Sequence, residues 1–201
     1  MRADTIARLK ITLNHMKPPV WRRIEVPLSL RLDRLHLAIQ GAMGWTNSHL
    51  YEIRSGDVGW GMIDPDGDDY LLDARKARLS DIVEDAGTKP LTYLYDFGED
   101  WEHTVKIERL VDREASIEYP RLIDASGRCP PEDVGGPGGY HEFLDALRDP
   151  EHERHAQFRE WFGDDDFDPK VVDINALTEA VAALVKAWAP KIRARRARRP
   201  K

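Results

Sequence analysis

The sequence has 201 residues, a formal net charge of −6 and a hydrophobic fraction of 41%. That length and composition fit one globular domain and exclude an intrinsically disordered chain. A single cysteine excludes an intrachain disulfide framework, and no apolar run approaches the roughly 20 residues of a membrane span, so we predict a cytoplasmic protein without a membrane segment.

The charge is unevenly distributed along the chain. Residues 190–201 contain seven basic residues and no acidic one, which leaves 23 basic and 36 acidic residues, a net charge of −13, in residues 1–189. Because an acidic body repels nucleic-acid phosphates, only this basic tail is a candidate for contact with nucleic acid or with another acidic partner. Its candidate residues are Arg193, Arg195, Arg196, Arg198 and Arg199. The interpretation that we favour is that the tail is a solvated terminus or contacts the acidic body of the same chain.

The first half of the chain predicts strands interrupted by one helix. In chain order the predicted elements are a strand at 6–13, a strand at 20–26, a helix from Asp33 to Gly44, a strand at 48–53 and a helical turn at 79–83. Ala7, Leu9 and Ile11 alternate with polar residues, which is the period of a half-buried strand. Asp33 is suited to cap the helix, and Gly44 is suited to end it.

A hairpin of two aromatic strands is predicted at 91–97 and 101–110. A three-residue connection pairs Tyr95 with His103 and gathers the large aromatic residues on one face, and such a hydrophobic pattern fixes the register. A four-residue connection would pair Asp96 with His103 but would divide the aromatic residues between the two faces. We therefore interpret His103 as a buried structural residue.

The rest of the chain predicts one more strand and then helices. These elements are a strand at 116–122, a helix containing Tyr140, Phe143, Leu144 and Leu147, a helix starting at Asp149, and a long helix capped by Asp173. Strands early and helices late indicate an α+β fold, with a largely antiparallel sheet in the first two thirds and packed helices mainly toward the C-terminus. We predict one domain over residues 1–189, followed by the basic tail.

Residues 129–140 form the most unusual segment, with four glycines and three prolines in twelve residues. Glycine permits positive φ angles and proline fixes φ, so the composition predicts one rigid backbone path that can serve as a binding surface. The candidate surface, which includes one residue of the hairpin, consists of Cys129, Glu132, Asp133, Gly135, Gly136, Tyr140 and Trp101.

Four carboxylates are candidates for a metal or acid–base site, namely Asp96, Glu102, Glu132 and Asp133, with Asp96 placed beside Glu102 on the wetter face of the hairpin. The interpretation that we favour is that Glu132 and Asp133 accept backbone N–H bonds from the loop and the following helix. Cys129 lacks a partner at metal-ligand spacing. The sequence therefore predicts no metal and no cofactor, and a divalent metal is needed only if the carboxylates form a hydrolytic site.

The other histidines are interpreted as structural or solvated. His36 and His49 accompany Trp45 at a helix–strand junction, where such residues commonly fill the edge of a core. His152 and His155 are three residues apart, but charged neighbours indicate a solvated helix surface rather than a metal site.

Several motifs follow one another in a characteristic order, at residues 17–24, 35–45, 48–50, 95–103 and 129–140. Together they resemble the plasmid pRiA ORF-three-like family, which includes passenger proteins of insertion elements. The resemblance covers nearly the whole chain. It implies a single α+β domain found in bacteria and archaea near plasmids and mobile elements, without an established activity.

The function that these observations favour is a non-enzymatic binding or adaptor module that uses the loop 129–140 as its recognition surface. One alternative is a metal-dependent hydrolase of phosphate esters that uses the four carboxylates. The other is association with nucleic acid through the basic tail.

Overall fold

The structure, a computed structural model, describes residues 4–63, 70–163 and 166–189, so the basic tail at 190–201 lies outside the described residues. Within these ranges the strands are β1 (Thr5–Leu13), β2 (Val20–Pro27), β3 (Tyr51–Ser55), β4 (Val58–Gly61), β5 (Leu72–Asp73), β6 (Leu91–Tyr95), β7 (Trp101–Asp112) and β8 (Arg121–Ser126). The helices are α1 (Leu32–Met43), α2 (Leu79–Ala86), α3 (Gly136–Arg148), α4 (His155–Phe162) and α5 (Ile174–Trp188).

The strands form one sheet in the order β5-β4-β3-β6-β7-β1-β2-β8. Every neighbouring pair is antiparallel except β4 and β5, which are parallel. The predicted α+β class with a largely antiparallel sheet is therefore confirmed, and three of the five helices in the described ranges follow the last strand. None of the described helices has the length and apolar character needed to cross a bilayer.

Two of the predicted helix boundaries are confirmed and one cap is wrong. Gly44 ends α1 with a φ of 87°, and the Asp173 carboxylate accepts the amide of Ala176 at 3.0 Å at the start of α5. Asp33, however, lies inside the first turn of α1, because its carboxylate binds the guanidinium of Arg31 at 2.7 and 2.9 Å instead of the helix amides.

Three predicted element starts are also wrong. The strand expected at 116–122 is β8, which begins at Arg121, where pairing with Glu25 of β2 begins. The helix expected from Asp149 begins only at His155, because the Asp149 carboxylate accepts the amide of Glu151 and closes a turn. The strand expected from residue 48 begins at Tyr51.

The aromatic hairpin has the predicted faces within its strands but a different pairing, and Phe97, which was expected opposite Trp101, lies in the connection and is 39% exposed. Tyr95 lies opposite Trp101 and Tyr93 lies opposite His103, so the connection has five residues instead of three. Because side chains alternate with period two, a shift of two residues leaves each face unchanged. The longer connection is made possible by positive φ angles at Asp96 (58°) and Asp100 (55°).

A buried carboxylate connects three strands at the β8 edge of the sheet. Glu25 on β2 is 2% exposed and accepts hydrogen bonds from Arg8 on β1 and Arg121 on β8, each at 2.8 Å from Nε. Burial by itself raises the pKa of a carboxyl, but the two arginines outweigh it, and the pKa of Glu25 lies below its ordinary value of 4.5. Glu25 is therefore an anion that stabilises the folded chain.

We predict that Glu25→Gln lowers the free energy of unfolding by about 1–3 kcal/mol at neutral pH, because the two arginines lose their anion. Since the folded-state pKa is the lower one, the contribution of the carboxylate is complete above pH 4.5 and is lost as the pH falls through the folded-state pKa. Urea denaturation of both proteins across this range should show the difference shrinking in acid. A difference that does not change with pH would contradict the prediction.

Candidate functional site

The Gly/Pro-rich loop, residues 129–135, leads directly into α3 and follows a backbone path that requires glycine. Gly135 has a φ of 97° and Gly136 has a φ of 67°. A Cβ atom at Gly136 would collide with the carbonyl oxygen of Glu99, in the connection between β6 and β7. The helix therefore begins inside the glycine-rich segment, at Gly136, with Pro137 in its first turn, and not after the segment as the sequence suggested.

Side chains of the segment after α1 and of the connection between β6 and β7 hold this loop at both ends. The indole nitrogen of Trp45 donates to the carbonyl oxygen of Pro130 at 3.0 Å. The Glu99 carboxylate accepts the amide of Gly135 at 2.7 Å and the indole N–H of Trp101 at 2.9 Å. The loop is thus held against the aromatic face of the sheet.

Glu132 lies between these two ends and joins three segments of the chain. Its Oε1 accepts the hydroxyl of Tyr95 at 2.6 Å, and its Oε2 accepts the amide and the hydroxyl of Thr46 at 2.7 and 2.6 Å. The Tyr95 oxygen in turn accepts the amides of Ser48 and His49 at 2.9 and 3.3 Å. These bonds occupy the two amides, which explains why β3 does not begin at residue 48.

The partners of Glu132 differ from those that the sequence suggested, because its hydrogen bonds come from Thr46 and Tyr95 and not from its own loop. Burial by itself raises the pKa of this carboxyl, but the bonds from Thr46 and Tyr95 outweigh burial and leave its pKa below the ordinary value. Glu132 is therefore an ionised structural carboxylate with both oxygens engaged.

The same contacts bring together His49, Asp96 and Asp133, which come from three separate segments. His49 Nε2 lies 3.1 Å from Asp133 Oδ1, and His49 Nδ1 lies 3.6 Å from Asp96 Oδ2. With one ligand atom taken from each residue, all three atoms lie within 4.8 Å of one another. We call these three residues the His–Asp–Asp cluster.

The cluster extends from the core to the surface. Asp96 is 9% exposed, and its Oδ1 accepts the amide of Gly98 at 3.0 Å, which fixes the carboxylate. The Asp133 side chain is 69% exposed and the His49 side chain 28% exposed. Both aspartates have positive φ angles, 58° and 62°, which shows that the two loops adopt an uncommon backbone conformation where they present these side chains.

The structure therefore brings together only part of the predicted carboxylate set. Asp96 and Asp133 meet at His49, and Glu132 lies next to them as a structural group. Glu102 lies opposite Leu94 in the hairpin and accepts the side-chain amide of Asn14 at 2.7 Å, so the expected placement of Asp96 beside Glu102 is wrong. Asp96 belongs to the connection after β6.

The sequence predicts that His49 fills the edge of the core, and it does not predict the contacts of His49 with Asp96 and Asp133. The pattern of predicted strands nevertheless contains a signal for the contact with Asp96. Because β3 pairs with β6 in antiparallel fashion and Tyr51 lies opposite Tyr95, residues just before Tyr51 are brought close to those just after Tyr95. Correct placement of β3 in the sheet would have predicted the approach of His49 to Asp96.

The remaining residues of the predicted binding surface differ in accessibility. Trp101 and Tyr140 are 1% and 0% exposed, so they support the loop from beneath. Burial raises the pKa of the Cys129 thiol to about 12, even though Arg22 nearby acts in the opposite direction. A thiol with this pKa stays protonated at neutral pH and is a poor nucleophile and a poor metal ligand.

Three of the other histidines, His103, His152 and His155, are not members of the cluster. His103 is fully buried, its Nδ1 lies 3.2 Å from the carbonyl oxygen of Tyr93, and burial lowers its pKa to about 4, so it is neutral. His152 accepts the amide of Arg154, and His155 donates to the carbonyl oxygen of Ala146 at 2.7 Å. These two histidines do not share a helix face, because α4 begins at His155.

These features define a class of protein, a single α+β domain in which a Gly/Pro-rich loop lies against the aromatic face of a largely antiparallel sheet. The chain belongs to the plasmid pRiA4b ORF-3-like protein family, whose model matches residues 5–176, and the resemblance seen in the sequence is confirmed.

Two relatives extend nearly over the whole chain. The chain is 51% identical over 189 residues to the uncharacterized protein y4hQ of Sinorhizobium fredii (strain NBRC 101917 / NGR234), which covers 94% of this chain and 97% of that protein. It is also similar to the crystal structure of a protein of unknown function, MM3350 from Methanosarcina mazei Go1. That similarity has 35% identity and a TM-score of 0.77, and it covers 87% of this chain and 98% of that chain.

We predict that Glu132→Gln lowers the free energy of unfolding by about 1–3 kcal/mol, because an amide cannot accept hydrogen bonds at both of its terminal atoms. The matched control is Glu102→Gln, since the glutamine side chain keeps an oxygen for the bond from Asn14, and its effect should stay within about 0.5 kcal/mol. Urea denaturation measures both values. Equal effects of the two substitutions would show that Glu132 does not hold the loop.

Proposed function

We propose that this protein is a metal-dependent binding module that holds a divalent transition-metal ion with His49, Asp96 and Asp133. The observation that carries the proposal is the convergence of one imidazole and two carboxylates from three separate segments, with ligand atoms within 4.8 Å of one another. A metal ion would connect the segment after α1, the end of β6 and the Gly/Pro-rich loop.

Electrostatics supports a cation at this place. Two carboxylates close to one imidazole repel each other, and Asp96 is nearly buried, where a negative charge is costly unless it is paired. Imidazole nitrogen combined with carboxylate oxygen suits Mn²⁺, Fe²⁺, Co²⁺ or Zn²⁺, whereas Ca²⁺ and Mg²⁺ prefer ligand sets made only of oxygen.

Binding of an ion requires the cluster to contract. Ligand atoms around an ion with bonds of roughly 2.0–2.2 Å lie roughly 3–3.5 Å apart, so atoms at the 4.8 Å limit of the cluster have to approach one another by roughly 1.3–1.8 Å. Asp133, which is exposed, is the residue with room to move. Three protein ligands leave coordination positions open, and through these an ion can bind an oxygen or nitrogen atom of a partner.

A binding role is favoured over hydrolysis by what the neighbouring carboxylates do. Both oxygens of Glu132 are occupied by structural hydrogen bonds, and Glu102 lies on the hairpin strand away from the cluster. Neither carboxylate is therefore placed as a general base for a water molecule at the ion. A hydrolase at this site would have to rely on metal-bound water alone.

We expect the tag-free protein, after chelator treatment and dialysis, to bind one Mn²⁺ or Co²⁺ ion in isothermal titration calorimetry. Asp133→Asn should weaken binding by about tenfold or more, because a charged ligand is lost. This substitution preserves the fold, since asparagine tolerates positive φ as aspartate does and the side chain is exposed. Glu102→Gln is the control and should bind as the wild type does.

Equal affinities of wild type and Asp133→Asn, or no binding at all, would refute the metal site. A second assay separates binding from hydrolysis, with bis(p-nitrophenyl) phosphate and p-nitrophenyl phosphate as substrates in the presence of Mn²⁺. We expect no turnover above that of the free ion. Turnover that disappears in Asp133→Asn would support the metal site, but it would show that the function of the site is hydrolysis and not binding.

A further inference from the structure

A cavity that shares no lining residue with the His–Asp–Asp cluster has a positively charged lining. It has a volume of about 520 Å³ and lies where the start of α1 meets the end of α5. Its most informative lining residues are four arginines and two aromatic residues, Arg31, Arg34, Arg78, Arg113, Tyr119 and Trp188. No carboxylate is among the described residues that line it.

Within the described ranges, three of these arginines have no neutralising partner. Arg31 is paired with Asp33, as described above. Arg34, Arg78 and Arg113, in contrast, form no salt bridge with any carboxylate in the described part of the chain. In a protein with a net charge of −6, three uncompensated cations around one cavity form a local positive site.

The three guanidinium groups are nevertheless held in place. Arg34 lies over the ring of Trp188 at 5.0 Å, and Arg113 lies over the ring of Tyr119 at 5.2 Å. Arg78 Nη1 donates to the carbonyl oxygen of Ser29 at 2.5 Å. Aromatic rings and a carbonyl orient these cations without cancelling their charge, so the site is partly organised for an anion before the anion binds.

We propose that this cavity binds the phosphate group of a nucleotide through Arg34, Arg78 and Arg113. Planar guanidinium groups match the oxygens of phosphate and form strong charge-assisted hydrogen bonds with them. A phosphate alone does not fill 520 Å³, which is the size of a pocket for a small organic molecule. A planar base attached to the phosphate can occupy the remainder, because guanidinium planes and aromatic rings are the surfaces on which bases stack.

The nucleotide can be free or part of a single-stranded nucleic acid. The position of the cavity in the chain bears on the possibility of a nucleic-acid strand. Ala189 lines the cavity, and in the sequence it directly precedes residues 190–201 with their seven basic residues.

The test is isothermal titration calorimetry of the chelator-treated full-length protein with four probes: adenosine monophosphate, adenosine, inorganic phosphate and a short single-stranded oligodeoxyadenylate. We expect adenosine monophosphate to bind at least about tenfold more tightly than adenosine, and the affinity to fall as salt is raised. Oligonucleotide binding much tighter than that of the monophosphate identifies a strand as the natural source. Equal or weaker oligonucleotide binding identifies a free nucleotide.

The variants locate the site. Arg113→Gln removes an exposed cation and should lower the affinity by about tenfold or more, and Arg34→Gln should do the same. The control is Arg148→Gln on α3, which removes a cation that does not line the cavity and should bind as the wild type does. The proposal is overturned if none of the phosphates binds, if adenosine binds as tightly as its monophosphate, or if binding depends only on residues 190–201 and is unaffected by Arg113→Gln and Arg34→Gln.

Discussion

The hydrogen bond between Tyr95 and Glu132 is the contact on which the arrangement of the site depends. Tyr95 ends the central hairpin strand β6, and its hydroxyl binds the loop 129–135 through Glu132 and the segment after α1 through the amides of Ser48 and His49. Because Asp96 follows Tyr95 directly, and His49 and Asp133 each adjoin one of its partners, this one hydroxyl brings all three cluster residues together. The geometry of the His–Asp–Asp cluster is thus a consequence of how the loop is held in place.

The described part of the molecule contains two clusters of opposite charge. The His–Asp–Asp cluster presents two carboxylates beside the Gly/Pro-rich loop, whereas the cavity near Trp188 presents three arginines that form no salt bridge with any described residue. α1 connects the two regions, since Arg34 lies near its start and Thr46 follows its end. The cation site and the phosphate site that we propose share no residue, so the two proposals can be tested independently.

The sequence was sufficient for features that depend on local physics. The alternation in β1, the Gly44 stop and the Asp173 cap follow from side-chain period and backbone chemistry, and the hairpin faces follow from the aromatic pattern. The sequence was insufficient for features that long-range contacts determine, namely the register of the hairpin and the partners of individual side chains. The hairpin pairing moved by two residues because positive φ angles at Asp96 and Asp100 allow a longer turn, and neither pattern nor composition shows this. Glu132 and His49 have partners more than 35 residues away, so local reasoning assigned them other roles.

The central claim is that the docked loop completes a metal site, and anomalous diffraction tests it most directly. Crystals grown with Mn²⁺ should be measured at a wavelength where manganese scatters anomalously. We predict an anomalous peak within bonding distance of a His49 nitrogen and of one oxygen each from Asp96 and Asp133, at roughly 2.0–2.3 Å. A map with no peak at these three residues, or with manganese bound only elsewhere on the protein, would contradict the account.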